Sequence, residues 1–187
     1  RCRTFARRAT CQIKDSRQQD HGMNYLLDAN TLIEAKNRYY GMAICPGFWQ
    51  WLLLKNKALA LASIAPVMDE LTKGHDDLAG WAKGNSDFFH STTDQDTQLA
   101  FAQVAGLVAD QSPKMKVGAM EAFLAGADPW LIAKALTTGA TVVTHEVLNL
   151  DAKRKFIIPN ICQELNVHFL NTFELLHRLE AKFVLPA

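Results

Sequence analysis

At 187 residues, 49% of them hydrophobic and 21% charged, the chain is long enough for one core, short for two domains of ordinary size, and unlike a disordered or fibrous protein in composition. No apolar run approaches the ~20 residues that cross a bilayer, so a cytoplasmic, membrane-free protein is expected. The formal net charge of +1 hides an uneven distribution: residues 1–22 hold six of the 20 Lys/Arg and two of the 19 Asp/Glu, which leaves 14 against 17 over residues 23–187. That mild acidity excludes nucleic-acid binding through a broad basic face and leaves only metal ions and local patches as a route to RNA.

Residues 1–22 lack the apolar stretch of a secretory signal. Met23 is followed at once by a strand-like run, so the preceding segment reads as a disordered or non-native extension, and residues 23–187 as the folded domain. Beyond it, short aliphatic runs alternate with helical periodicity, which points to α/β. Asn24–Leu27 reads as a buried strand ending at Asp28, with a helix from Ala29 to about Tyr39. Pro46-Gly47 opens a second helix whose Trp49 and Leu53 belong to the core. Ala58–Ile64 is a second strand, and Pro66 stands at the start of a helix that carries Asp69 and Glu70 and stops near Gly74. From Asp76 to Met120 the pattern is helical with polar breaks and reads as a helical insert. Asp128-Pro129-Trp130 has the form of a helix start with Asp as cap, and Gly139 ends that helix. Ala140–Thr144 is the clearest strand, bounded by His145-Glu146. A last strand at Val167–Leu170 leads through Asn171 into the helix 172–182.

Cys2, Cys11, Cys45 and Cys162 stand far apart, without a CxxC pair or a Cys/His cluster at zinc spacing. The acids carry the chemical signal instead. In an open parallel sheet ligands bind beyond the carboxyl ends of the strands, and Asp28, Asp128 and Glu146 occupy such ends or the helix starts beside them. Glu70 lies one turn into the helix after the second strand. Four converging carboxylates need a cation, because two unit charges ~4 Å apart repel by roughly 4 kcal/mol at an effective dielectric of 20. Hard oxygen donors in that number suit Mg2+ or Mn2+, which assist in-line attack on a phosphodiester. Each acid also has a structural reading: Asp28 and Asp128 as helix caps, Glu70 as a solvated helix residue with Asp69 competing for its role, and Glu146 as an ordinary loop acid.

The segments LLDANTLIEAKNRYY (26–40), ADPWLIAKAL (127–136), GATVVTHE (139–146) and NTFELL (171–176) resemble the successive motifs of PIN domains. Most of all they are similar to bacterial single-domain PIN-like proteins that serve as toxins of toxin–antitoxin pairs. The resemblance spans Met23 to about Leu185. It implies a three-layer α/β fold with a central parallel sheet of four or five strands flanked by helices, and a metal-dependent endoribonuclease that leaves 5′-phosphate and 3′-hydroxyl ends. It further implies an RNA substrate, a cognate antitoxin, and a homodimer. By the same resemblance Asp28, Glu70 and Asp128 match the first three acids, while Asn30 and Thr144 would orient the acids or metal-bound water. Glu146 departs from the pattern, standing in Thr144-His145-Glu146 where PIN domains have Thr-x-Asp. That departure leaves a second reading, a catalytically impaired partner- or RNA-binding protein. A third, a haloacid-dehalogenase-like phosphatase using Asp28 as nucleophile, is disfavoured by Asn30, which stands where that chemistry needs an acid.

Overall fold

The structure is a computed structural model and describes residues 24–183; residues 1–22, read above as an extension, lie outside the described residues. Five strands, β1 (Tyr25–Leu27), β2 (Leu61–Ile64), β3 (Phe89–His90), β4 (Thr141–Val143) and β5 (Phe169–Leu170), form one sheet in the order β3-β2-β1-β4-β5. Every pairing is parallel, with Tyr25 opposite both Leu61 and Thr141, and Val143 opposite Leu170. The expected α/β architecture is therefore present, with five strands. β1, β2 and β4 are short and almost wholly buried, as strands covered by helices on both faces must be.

The helices are α1 (Ala29–Glu34), α2 (Pro46–Lys57), α3 (Ala65–Thr72), α4 (Asp77–Gly84), α5 (Gln95–Gln111), α6 (Ala119–Leu124), α7 (Asp128–Thr138), α8 (Ile158–Glu164) and α9 (Thr172–Arg178). Leu26, Leu32, Leu52, Ile64, Val104, Leu131, Ile132 and Ile158 are fully buried between these layers. Trp49 and Trp51 lie in the same core, while Trp81 and Trp130 pack on its edge and Leu53 is half-buried. Cys45 and Cys162 are free thiols, and burial pushes Cys162 up to about 12. Among the described residues no helix is long and apolar enough to cross a membrane.

Several boundaries differ from the sequence expectation, each for a local reason. The second strand begins at Leu61 because Ala58–Ala60 forms a turn in which Leu59 takes a positive φ of 56°. The region 76–120 is an integral part of the fold, not a helical insert. It supplies the edge strand β3, and its α5 packs along α7, with Phe101 stacked on Trp130 at a ring separation of 3.8 Å. Asp128 is the first helical residue, and the cap position belongs to Ala127. The last helix stops at Arg178; its start is fixed by a reciprocal capping box between Asn171 and Glu174. Helix α8 has no counterpart in the sequence expectation.

Beyond Glu34 the first helix widens into a π turn over Ala35–Tyr39, closed by the Tyr40 amide donating to the Ala35 carbonyl at 2.6 Å. At its end two adjacent tyrosines part. Tyr40 stacks on Phe48 with ring centroids 4.4 Å apart, and its carbonyl accepts the Trp49 indole N–H at 2.7 Å. Tyr39 stays 46% exposed.

Candidate active site

From β1 the chain builds outward to β2 and β3 on one side, and from β4 to β5 on the other, so the order reverses between β1 and β4. At such a switch point the loops diverge and leave a crevice at the carboxyl ends of the strands. Asp28 occupies it. Its amide continues the ladder by donating to the Val143 carbonyl at 3.0 Å, and its side chain is 1% exposed. The surrounding backbone is tied down by buried hydroxyls: Thr31 donates to the Val143 carbonyl at 3.0 Å and Ser63 to the Leu27 carbonyl at 2.6 Å.

Thr144 lies directly after β4 and links two of the acids. Its hydroxyl donates to Asp28 Oδ2 at 3.0 Å and accepts the Glu146 amide at 3.1 Å. Burial raises the Asp28 carboxyl from 3.8 to about 6, against the lowering effect of the Thr144 hydroxyl and the Asn30 amide; the charges of Glu146 and Glu70 add to the rise. Asp128, at the start of α7, is raised to about 7, by burial first and then by the charges of Asp28, Glu146 and Glu70, with Lys155 opposing. The four sequence-selected acids thus come within electrostatic reach of one another. Neither Asp28 nor Asp128 has an ion-pair partner among the described residues.

The other two acids are partly committed. Glu70 reaches from α3 to accept the Ala127 amide on Oε1 at 2.8 Å, which fastens the start of α7 and leaves its second oxygen without a hydrogen bond among the described residues. Glu146 is fully occupied: Oε1 meets the Lys155 ammonium at 2.6 Å and Oε2 accepts the Ile158 amide, the first of α8, at 2.8 Å. Asn30 is exposed, with no side-chain hydrogen bond among the described residues, and Asp69 is exposed beside the half-buried Glu70. Among the described residues no three carboxylate, imidazole or thiolate groups are gathered closely enough to hold a metal as they stand; Glu70 and Glu146 are the two acids drawn to backbone and lysine partners. Burial comes first in raising both the buried Asp28 and the half-buried Asp128, and the charge of Asp28 adds to the rise of Asp128.

A family model described as a domain of unknown function (DUF4411) matches residues 25–183. The chain belongs to this family. The match runs from the first residue of β1 to beyond α9 and so takes in all four acids. No curated protein and no solved structure matches the chain.

In this DUF4411 domain the residue that sequence reasoning passed over is Lys155. Its ammonium is held by Glu146, which raises the Lys155 pKa together with the charges of Asp128 and Asp28. The signal was visible as the run Lys153-Arg154-Lys155, but only the fold carries that run to the rim of the acidic crevice. Lys153, Arg154 and Lys155 line a concavity that opens beside Glu146.

Proposed function

We propose that this protein is a Mg2+- or Mn2+-dependent endoribonuclease of the PIN type, with Asp28 and Asp128 as its principal metal-holding carboxylates. The observation that carries the reading is the pairing of buried Asp28 with half-buried Asp128 at the sheet's switch point, raised to about 6 and about 7 and without an ion pair of their own among the described residues, the nearby Lys155 being held by Glu146. Two such groups oppose folding at neutral pH unless a ligand offsets them. The free oxygen of Glu70 is the third donor, and Thr144 is a positioning residue that fixes the Asp28 carboxylate. Glu146 holds Lys155 at the rim, where an ammonium can meet a phosphate oxygen. A bound divalent ion supplies polarisation of the phosphoryl group and an activated water. The toxin role, with an antitoxin as partner, and assembly as a homodimer belong to the same proposal.

Incubating the full chain with single-stranded and structured RNAs in Mn2+ or in EDTA tests this. Cleavage that needs the metal and disappears in Asp28→Asn is expected. Cleavage that survives either EDTA or that substitution would overturn the assignment.

One observation favours the impaired, binding-only reading: both oxygens of Glu146 already have partners. Calorimetry separates the two readings, since a binding-only protein takes up no Mn2+ at millimolar concentration.

A further inference from the structure

Three aromatic rings from separate elements meet on the other flank of Glu146. Tyr39 comes from the π turn, His145 from the loop after β4, and Phe173 from the first turn of α9. Tyr39 and Phe173 stand edge to face with centroids 5.2 Å apart. His145 stacks near Tyr39 at 6.1 Å and meets Phe173 at 6.2 Å. His145 Nε2 is hydrogen-bonded to the Thr172 hydroxyl at 2.9 Å, which sets the plane of the imidazole. Despite this mutual packing, Tyr39 is 46% and Phe173 49% exposed.

His145 and Phe173 of the cluster border a concavity of ≈ 570 Å³ whose wall also includes Thr144, Glu146, Asn171 and Glu174. Thr144 is the residue that touches Asp28, so the ring cluster and the acidic crevice share a wall. Glu146 also borders the concavity of Lys153, Arg154 and Lys155, whose single acidic companion besides Glu146 is Asp151. Rings, acids and cations therefore follow one another along the carboxyl edge of the sheet. That sequence of surfaces matches a nucleotide chain, with a base to stack, a phosphate to attack and further phosphates to neutralise. A partner protein would account for the rings but not for their continuity with the acids and the basic rim.

We propose that Tyr39, His145 and Phe173 form a subsite for one unpaired nucleobase of a single-stranded RNA whose backbone passes the acids toward Lys153, Arg154 and Lys155. The proposal rests on the nuclease reading for the meaning of the acids, but its own content is base recognition. Stacking on aromatic rings tolerates any base and is worth roughly a five- to hundredfold in affinity per base. Bases inside a duplex are already stacked and cannot reach such a platform, so the subsite selects single-stranded segments.

Fluorescence anisotropy on the full chain in EDTA, where no metal-dependent cleavage occurs, tests the subsite with three probes: a labelled oligouridine, the same ribose-phosphate strand without bases, and a hairpin duplex. Oligouridine should bind about tenfold more tightly than the base-free strand or the duplex. Phe173→Ala and Tyr39→Ala should each remove most of that advantage without weakening the base-free strand, and Phe173→Trp should restore it. Arg154→Ala should weaken both strands alike and lower the salt dependence. Phe173 is half-exposed and, though it lies between Asn171 and Glu174, takes no part in the hydrogen bonds of their capping box, so a melting curve verifies that its variants fold. Equal affinity for strands with and without bases, or equal losses on both in Phe173→Ala, would overturn the subsite. So would a Phe173→Ala effect confined to self-association or to binding a protein. Failure of the nuclease reading shows itself separately, as intact base-dependent binding without Mn2+-dependent cleavage.

Discussion

Asp94 and Asp128 are both aspartates at the start of a helix that packs in the same α5–α7 pair, yet the fold treats them in opposite ways. Asp94 caps α5 through the Thr97 amide at 2.9 Å, accepts the Thr97 hydroxyl, and meets the Lys134 ammonium of α7 at 2.7 Å. Lys134 and Thr97 hold its carboxyl well below the usual range. Asp128 has no ion pair among the described residues; the nearby Lys155 is held by Glu146. Burial and the neighbouring Asp28, Glu146 and Glu70 push it up to about 7. Asp94 has a cation of its own, whereas Asp128 faces three acids and only an ammonium that Glu146 already holds, and it is this imbalance that the proposed metal would offset.

The sharpest way to break this contrast is to remove the charge at each place. Asp28→Asn and Asp128→Asn should each lower Mn2+-dependent cleavage by at least ~100-fold, the upper end of what even outer-shell changes cost a metal site, while raising the melting temperature of the metal-free protein. Asp94→Asn should do the reverse, lowering the melting temperature and leaving cleavage intact. Should Asp128→Asn instead destabilise the metal-free protein, the contrast fails.

Next in size is the pH dependence of the metal-free fold. Both raised values lie above the 3.8 of an ordinary aspartate. Between about pH 4 and 7 these two carboxyls therefore hold more protons in the folded chain than in the unfolded one, and their contribution to stability falls as pH rises, while His90 and His145, lowered by burial, oppose the slope toward the top of that window. Each tenfold difference in proton affinity between the folded and unfolded chain is worth about 1.4 kcal/mol, so the loss is on the order of a few kcal/mol. Urea melts at pH 4.5, 6 and 7.5 should trace it, and millimolar Mn2+ should flatten the slope; a flat profile without metal would contradict the assignment.

Thr144→Val removes the hydroxyl from Asp28 Oδ2, a hydrogen bond to a charged group worth roughly 1.5–3 kcal/mol. With metal present it should reduce kcat more than RNA affinity, because the Thr144 hydroxyl fixes the Asp28 carboxylate and the ring and basic side chains stay in place. The smallest effect belongs to Glu146→Gln. Its pair with the largely exposed Lys155 is worth about 0–1 kcal/mol, and cleavage should fall by less than tenfold if Glu146 positions Lys155 and is not itself a ligand. A loss as large as that of Asp28→Asn would make Glu146 a ligand after all.

How much of this was legible in the sequence follows from how local each feature is. Leu26-Leu27-Asp28 and Val142-Val143-Thr144 announce buried strands that end in polar residues, and Pro129 marks the start of α7. Phe89-His90 was not legible as a strand because two residues carry no period and pair only with β2 at the edge. α8 escaped notice because its Ile-Pro start also suits an extended chain. The partners of Glu146 and the meeting of Tyr39, His145 and Phe173 were illegible for a different reason. The rings lie 106 and 28 residues apart along the chain, and only the parallel sheet, by placing β4 beside both β1 and β5, brings them together.

The π turn at 35–39 bears on what kinds of change this fold can absorb. In a regular α-helix the loss of one residue swings all that follows by about 100°, but here the i→i−5 bond from Tyr40 to Ala35 would become an ordinary i→i−4 bond and the chain beyond would keep its place. The turn is thus a reserve of one residue, and a family member shortened by one between Ala35 and Tyr39 should carry a plain α-helix with Tyr40 still on Phe48.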